Sequence, residues 1–149
     1  MTIMEKVLAL NEVDLFSHMT TEELSILATI AEEVHLSSGE PLIRENSPSD
    51  SLQLLLSGRV RVTRGHQEIF VAGANDTLGA LSLMDGQPWP FGAEVLEPTD
   101  VLRIDRETFL DVLADHTRMT EAILQSLVKK VRRLVDTPVS GPPTDDAND

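Results

Sequence analysis

Cysteine is absent from the 149 residues, which excludes disulfides, thiolate metal sites and a cysteine nucleophile and leaves the redox compartment open. Cations are few. The 12 Lys and Arg face 25 Asp and Glu, and the resulting formal charge of -13 repels phosphate backbones and anionic lipid surfaces. Nucleic acid is therefore not an expected partner. No apolar run approaches the ~20 residues of a membrane span, and the start lacks a basic region followed by an apolar stretch. The expectation is a soluble, cytoplasmic chain. Aromatic residues are also scarce, with four Phe, one Trp and no Tyr, so any two that crowd together carry information.

Chemistry-bearing clusters are missing as well. His18, His35, His66 and His116 are scattered, and none has another His one, three or four residues away, as a metal site on a strand or helix would need. Glu32-Glu33 and Asp145-Asp146 are adjacent acids that point apart or lie in the terminal segment, which suits solvated faces better than acid/base work. There is neither a GxSxG nor a GxxxxGK[ST]. No catalytic residue, metal or cofactor is expected, and a small β-barrel enzyme is the reading with least support.

What is present is a single domain's length with 41% hydrophobic residues, enough for a sizeable core. From Met1 to Met19 the apolar spacing is loosely helical and breaks near Asn11. Thr20 and Glu23 form a capping box, with Met19 and Leu24 placed as a hydrophobic staple, and predict a helix over residues 21–32 whose apolar face holds Leu24, Leu27, Ala28 and Ala31. From Glu33 to Asp105 the pattern changes to short β-branched or leucine-rich runs broken by Gly, Asn-Asp and Ser-Pro. Seven or more strands are predicted, with runs over residues 34–36, 41–44, 52–56, 59–63, 67–71, 93–96 and 101–104, spaced as in a sandwich or barrel. Arg59 and Arg61 alternate with Val60 and Val62, so they read as a solvated face. Helical spacing returns at Arg106 and again from Thr117. The segment from Asp136 to Asp149 holds three Pro, one Gly and four acids, and is predicted to be a disordered tail after a domain spanning residues 1–135.

Lys129, Lys130, Arg132 and Arg133 form one basic cluster. Cations in the last turns of a helix oppose the negative end of its dipole, which explains them without a partner; contact with an acidic partner or a lipid headgroup is the sharper reading. Ile123, Leu127, Val131 and Leu134 make a stripe at steps of four, four and three, predicting self-association through the last helix as a homodimer.

The stretch GEPLIRENSPSDSLQLLLSGRVRV from Gly39 to Val62, the segment Gly73 to Ile104, the Ser57-Gly58-Arg59-Val60 turn and the Leu102-Arg103-Ile104-Asp105-Arg106 exit together resemble the cyclic nucleotide-binding domain family. The resemblance covers about residues 12 to 135. It implies a mainly β fold, a β jelly roll with helices before and after it. It also implies a phosphate-binding cassette opening with Gly-Glu, with an Arg ten residues after the Gly and small residues next, in which the carboxylate accepts the ribose 2′-hydroxyl and the guanidinium pairs with the cyclic phosphate.

Here the cassette reads GALSLMDGQPWPFGA. Gly79 matches the first position and Leu81 and Ser82 follow in step, but Ala80 stands in place of the Glu. Trp89, after Pro88, stands in place of the Arg, and Pro90 and Phe91 replace the small residues. Both charged anchors are missing, and Pro90 removes a backbone donor. Trp89 and Phe91 either fold inward as a plug, or line a site for a flat uncharged ligand, or anchor a protein partner. The sequence thus points to a non-enzymatic regulatory or interaction module with a degenerate cassette, acting beside an effector protein or domain. The alternative is a working sensor of a cyclic nucleotide or another ligand in an altered pose, recruiting Arg59 or Arg61. Family members that bind DNA carry a helix-turn-helix after the long helix, and the short segment from Asp136 predicts no such motif here.

Overall fold

A computed structural model describes residues 1–48 and 50–136. Thr2 and Glu5 form one capping box and start helix α1 (Ile3–Leu10), a 3-10 turn follows at Asp14–Phe16, and Thr20 with Glu23 forms a second capping box at the start of α2 (Thr21–Ile30). The Glu23 side chain does double duty. It accepts the Thr20 N–H at 2.9 Å and a hydrogen bond from the Arg118 guanidinium at 3.0 Å. Burial pushes its carboxyl upward, but the Thr20 N–H and the Arg118 charge outweigh that and hold it below the usual carboxylate value. Its contribution to stability is therefore present above about pH 4.3 and is lost as pH falls through the lowered folded value.

The α2 helix stops two residues short of expectation. Ala31 is already extended, at φ -84° and ψ 127°, and Glu32 opens strand β1 (Glu32–Leu36). Long-range pairing overrides local propensity there, since Glu32 and Glu33 lie in register with Arg103 and Leu102. The Lys6 ammonium closes the helix end by donating to the Ala31 carbonyl at 2.7 Å.

The other strands are β2 (Pro41–Ile43), β3 (Ser51–Ser57), β4 (Val60–Arg64), β5 (Gln67–Ala72), β6 (Thr77–Leu78), β7 (Gly92–Val95) and β8 (Thr99–Asp105). They form two four-stranded antiparallel sheets, ordered β1-β8-β3-β6 and β2-β7-β4-β5, in the jelly-roll arrangement. Seven match the predicted runs to within two residues at each end. The eighth, β6, is two residues long and exists through its pairing with Gln53 and Leu54.

Strand alternation divides the core. On β3 and β8, Leu52, Leu54, Leu102 and Ile104 face the helices and join Leu10, Phe16, Leu24, Leu27, Phe109, Met119 and Ile123 in one cluster. Leu55 and Val101 face the other way and join Leu36, Val60, Val62, Ala72, Leu78, Ala93 and Val95 between the sheets. Phe16 and Phe109 meet in the first cluster with ring centroids 6.2 Å apart.

Helices α3 (Ala80–Asp85), α4 (Arg106–Asp115) and α5 (Thr117–Asp136) complete the element order. α5 includes Asp136, and the rest of the predicted disordered tail lies outside the described residues. The expected stripe on α5 needs correction: Ile123 is buried at 4% exposure and Leu127 packs partly on the core, while Val131 and Leu134 are exposed. Leu124, Val128, Val131 and Val135 make the outward face instead, at steps of four, three and four. α5 carries apolar residues on two opposite faces, and spacing alone does not say which one the barrel takes.

Candidate functional site

Strand β6 delivers the chain to Gly79, whose φ of +85° is left-handed and turns the backbone into α3. The Leu83 N–H closes the first turn on the Gly79 carbonyl at 3.0 Å, and Gly86, also left-handed at φ +71°, ends the helix with its N–H on the Ser82 carbonyl at 2.8 Å. Ser82 and Leu83 are buried and Leu81 is exposed. Ala80, half-buried, packs against the helix-side cluster. Its methyl group offers no acceptor for a sugar hydroxyl.

Arg106, the first residue of α4, holds this helix from outside. Its Nε donates to the Leu83 carbonyl at 3.0 Å and its Nη2 to the Met84 carbonyl at 3.4 Å, placing a cation on the negative end of α3. A side chain at Gly86 would bring a Cβ to 3.1 Å from the Arg106 guanidinium carbon. The cassette's frame is thus kept by a residue that belongs to a later helix.

After Gly86 the Gln87 N–H bonds the Asp85 carboxylate at 2.9 Å, and the chain runs through Pro88 to Trp89, Pro90 and Phe91 before β7. The Asn46 N–H donates to the Trp89 carbonyl at 3.0 Å, tying this loop to the turn after β2. The Trp89 and Phe91 rings meet edge to face, centroids 5.2 Å apart and planes at 66°. Both are half-buried and both pack on the cluster between the sheets. Arg64, at the end of β4, lies over the Phe91 ring with its guanidinium carbon 5.8 Å from the centroid. That cation is therefore occupied with an aromatic face.

The structure brings Gly79, Ala80, Leu81 and Ser82 together on one short helix and its N-cap, and Pro88, Trp89, Pro90 and Phe91 on the loop that follows. It does not bring Arg59 or Arg61 to them. Arg59 pairs with Glu97 at 2.9 Å, and Arg61 with Glu68 at 2.9 Å and Glu94 at 3.5 Å, on the wet face of β4. Arg106, Arg64 and Asn46 went unread in the sequence as site residues, because each acts across a long-range contact. The positive φ of Asn46, +58°, belongs to a turn that the Asn-Ser-Pro run does signal. Among the described residues no three His, Cys, Asp or Glu converge as a metal site needs, and no helix is long and apolar enough to cross a membrane.

A family model described as cyclic nucleotide-binding domain matches residues 33–116. Among curated proteins, an uncharacterized NTE family protein of Mycobacterium tuberculosis is 29% identical over 126 residues, covering 84% of this chain and 22% of that protein. A CRP-like cAMP-activated global transcriptional regulator from the same organism is 24% identical over 135 residues, covering 87% of this chain and 59% of the regulator. The chain thus spans less than two thirds of either relative. Among solved structures, the N-terminal domain of a transcriptional regulator from Streptomyces coelicolor A3(2) superposes with a TM-score of 0.81 at 24% identity, covering 89% of this chain and 99% of that one. The regulatory domain of Toxoplasma gondii PKA, crystallised with cAMP, gives 0.70 at 18% identity over 88% of this chain and 50% of that one.

Proposed function

Because the chain belongs to the cyclic nucleotide-binding domain family, we propose that it is a regulatory or interaction module whose cassette no longer takes cAMP or cGMP in the family's usual way. One observation carries the reading: the position of the phosphate-pairing guanidinium is held by Trp89, edge to face with Phe91 and packed over the cluster between the sheets. A cyclic phosphate brought there would leave water without a cation to meet it, a loss of several kcal/mol. Ala80 removes the second anchor and Pro90 removes a backbone N–H. Arg59 and Arg61, the cations a rearranged pose would need, are already paired with Glu97, Glu68 and Glu94, which weighs against the altered-pose sensor.

Titration calorimetry tests the reading directly. The full chain mixed with cAMP or cGMP should give no binding heat, and no rise in Tm, at concentrations that saturate an intact cassette. Micromolar binding of either nucleotide would overturn it.

Output then depends on contact with an effector rather than on chemistry at this domain. The relatives support this, since the matched region is 22% of one and 59% of another, and the remainder of each is available for an effector. The domain supplies no catalytic cluster of its own in this reading. A second copy is the partner proposed for α5, through the exposed face of Leu124, Val128, Val131 and Val135. Val131→Asp should convert a dimer to a folded monomer in light scattering, with an unfolding midpoint that no longer rises with protein concentration. Leu127→Asp is the wrong variant, because Leu127 also packs on the core. A wild-type chain that scatters as a monomer at high concentration would remove the dimer from the reading.

A further inference from the structure

Each sheet has two edges, and an edge strand offers a row of N–H and C=O groups that another chain can pair with. Three of the four edges are blunted. β1 carries Glu32, Glu33 and His35 within five residues, β2 is three residues long and opens on Pro41, and β6 is two residues long. β5 is different. It runs for six residues without a Lys or Pro, has β4 as its one strand neighbour among the described residues, and exposes Ile69, Phe70 and Val71 in succession, at 49%, 45% and 37%. A bulge sets Ile69 aside, because Val62 pairs with Phe70 and Thr63 with Glu68, but pairing is regular from Phe70 to Ala72.

A cavity opens next to this edge. Phe70 shares a face with Val62, its pair on β4, and forms one wall of a space of about 410 Å³ to which α3 contributes Leu81 and α5 contributes Leu127. Leu81 is 70% exposed, so an apolar wall stands open to solvent. A residue of an added strand placed opposite Phe70 would share its face and point into that space. Edge and cavity together are the two parts of strand addition, main-chain hydrogen bonds for affinity and a side-chain pocket for specificity. Charge then selects the occupant. Glu12, Asp14 and Asp76 line the cavity against Lys130, which favours a segment that brings a cation. A second copy does not bring one, because Glu68 is the only charged residue of β5 and each copy adds a formal charge of -13.

We propose that β5 is a docking edge for an extended segment of a protein partner, one that alternates apolar residues, sends a large one into the cavity between Phe70 and Leu81, and carries Lys or Arg to meet Glu12, Asp14 and Asp76. This rests on the regulatory reading only in taking the partner to be the effector. Nucleotide calorimetry tests that reading, and strand addition is measured independently of it.

The probe is a phage library of random seven-residue peptides selected on the full chain. Enriched peptides should alternate apolar residues beside at least one Lys or Arg, shift the amide resonances of β5, Asp76 and Leu81, and slow hydrogen exchange between Phe70 and Ala72. The double variant Glu12→Gln, Asp76→Asn should bind them about fivefold more weakly, and Leu81→Ala about tenfold. Asp76→Asn keeps an oxygen for the Gly73 N–H, which Asp76 accepts at 2.8 Å. Glu22→Gln with Glu107→Gln removes the same charge from residues that do not line the cavity, and should leave the affinity unchanged. All five positions are exposed, and a cooperative unfolding transition in each variant checks its folding. No enrichment, enriched peptides without a cation, binding that maps elsewhere, unslowed exchange in β5, or an equal loss from the Glu22 and Glu107 control would each overturn the proposal.

Discussion

Gly58→Ala should destabilise the domain by about 3 kcal/mol, the sum of a left-handed backbone penalty and overpacking against a fixed strand. Gly58 turns β3 into β4 at φ +94°, and an added Cβ would lie 2.1 Å from the Thr99 Oγ1, 2.6 Å from its Cα and 2.7 Å from the Pro98 carbonyl oxygen. Thr99 is buried, on a strand paired on both sides by β1 and β3, so backbone there has nowhere to go. Gly39 supplies the control. Its φ of +88° is nearly the same, yet nothing lies within 4 Å of its Cβ position. Gly39→Ala should therefore cost only the backbone term, about 1 kcal/mol. Urea unfolding of the two variants measures the difference, and equal midpoints would show that the close approach to Thr99 is not what demands glycine.

Restoring both anchors, Ala80→Glu with Trp89→Arg, should create cyclic nucleotide binding that the parent lacks, with a gain of a hundredfold or more from recovering the charged pair. The frame for this is in place. Gly79 and Gly86 set the ends of α3, and Arg106 holds its last carbonyls. The arginine should contribute more than the glutamate, because a phosphate pairs with a guanidinium in a charge-assisted bidentate contact, whereas the carboxylate meets a neutral hydroxyl. Removing the indole costs packing, about 2 kcal/mol for a ring that is half-buried over the cluster between the sheets. Calorimetry on the folded double variant, beside each single variant, reads the outcome. A folded double variant that binds no better than the parent would mean that Pro90 and Phe91 close the entry, and that the cassette is lost as a shape as well as a charge pattern.

Much of this molecule was legible before folding was considered. Thr20 with Glu23, the alternation of Val60 and Val62 with Arg59 and Arg61, and the turn residues between runs are local signals with local causes, and the structure follows them. The failures are tertiary. Glu32 reads as the end of a helix until β8 offers it a register, and β6 is a pair of residues whose only reason to be a strand is β3 beside them. Ile123 and Leu124 are adjacent apolar residues on different faces of α5, and the barrel's choice between them is a matter of docking, not of period. In the site, the missing charges could be read by position, since absence at a fixed spacing needs no contact. The Arg106 clamp and the Arg64 contact with Phe91 could not, because each joins elements that are far apart in the chain.

Arg106 belongs to α4 by its backbone and to the cassette by its side chain. Only His116 separates α4 from α5 in sequence. A push or pull on the outer helices thus has a short, stiff route to α3 that involves no small molecule. A shift of α4 against the sheet would therefore reach the end of α3 through one side chain, and that chain of contact ends at the Leu83 and Met84 carbonyls.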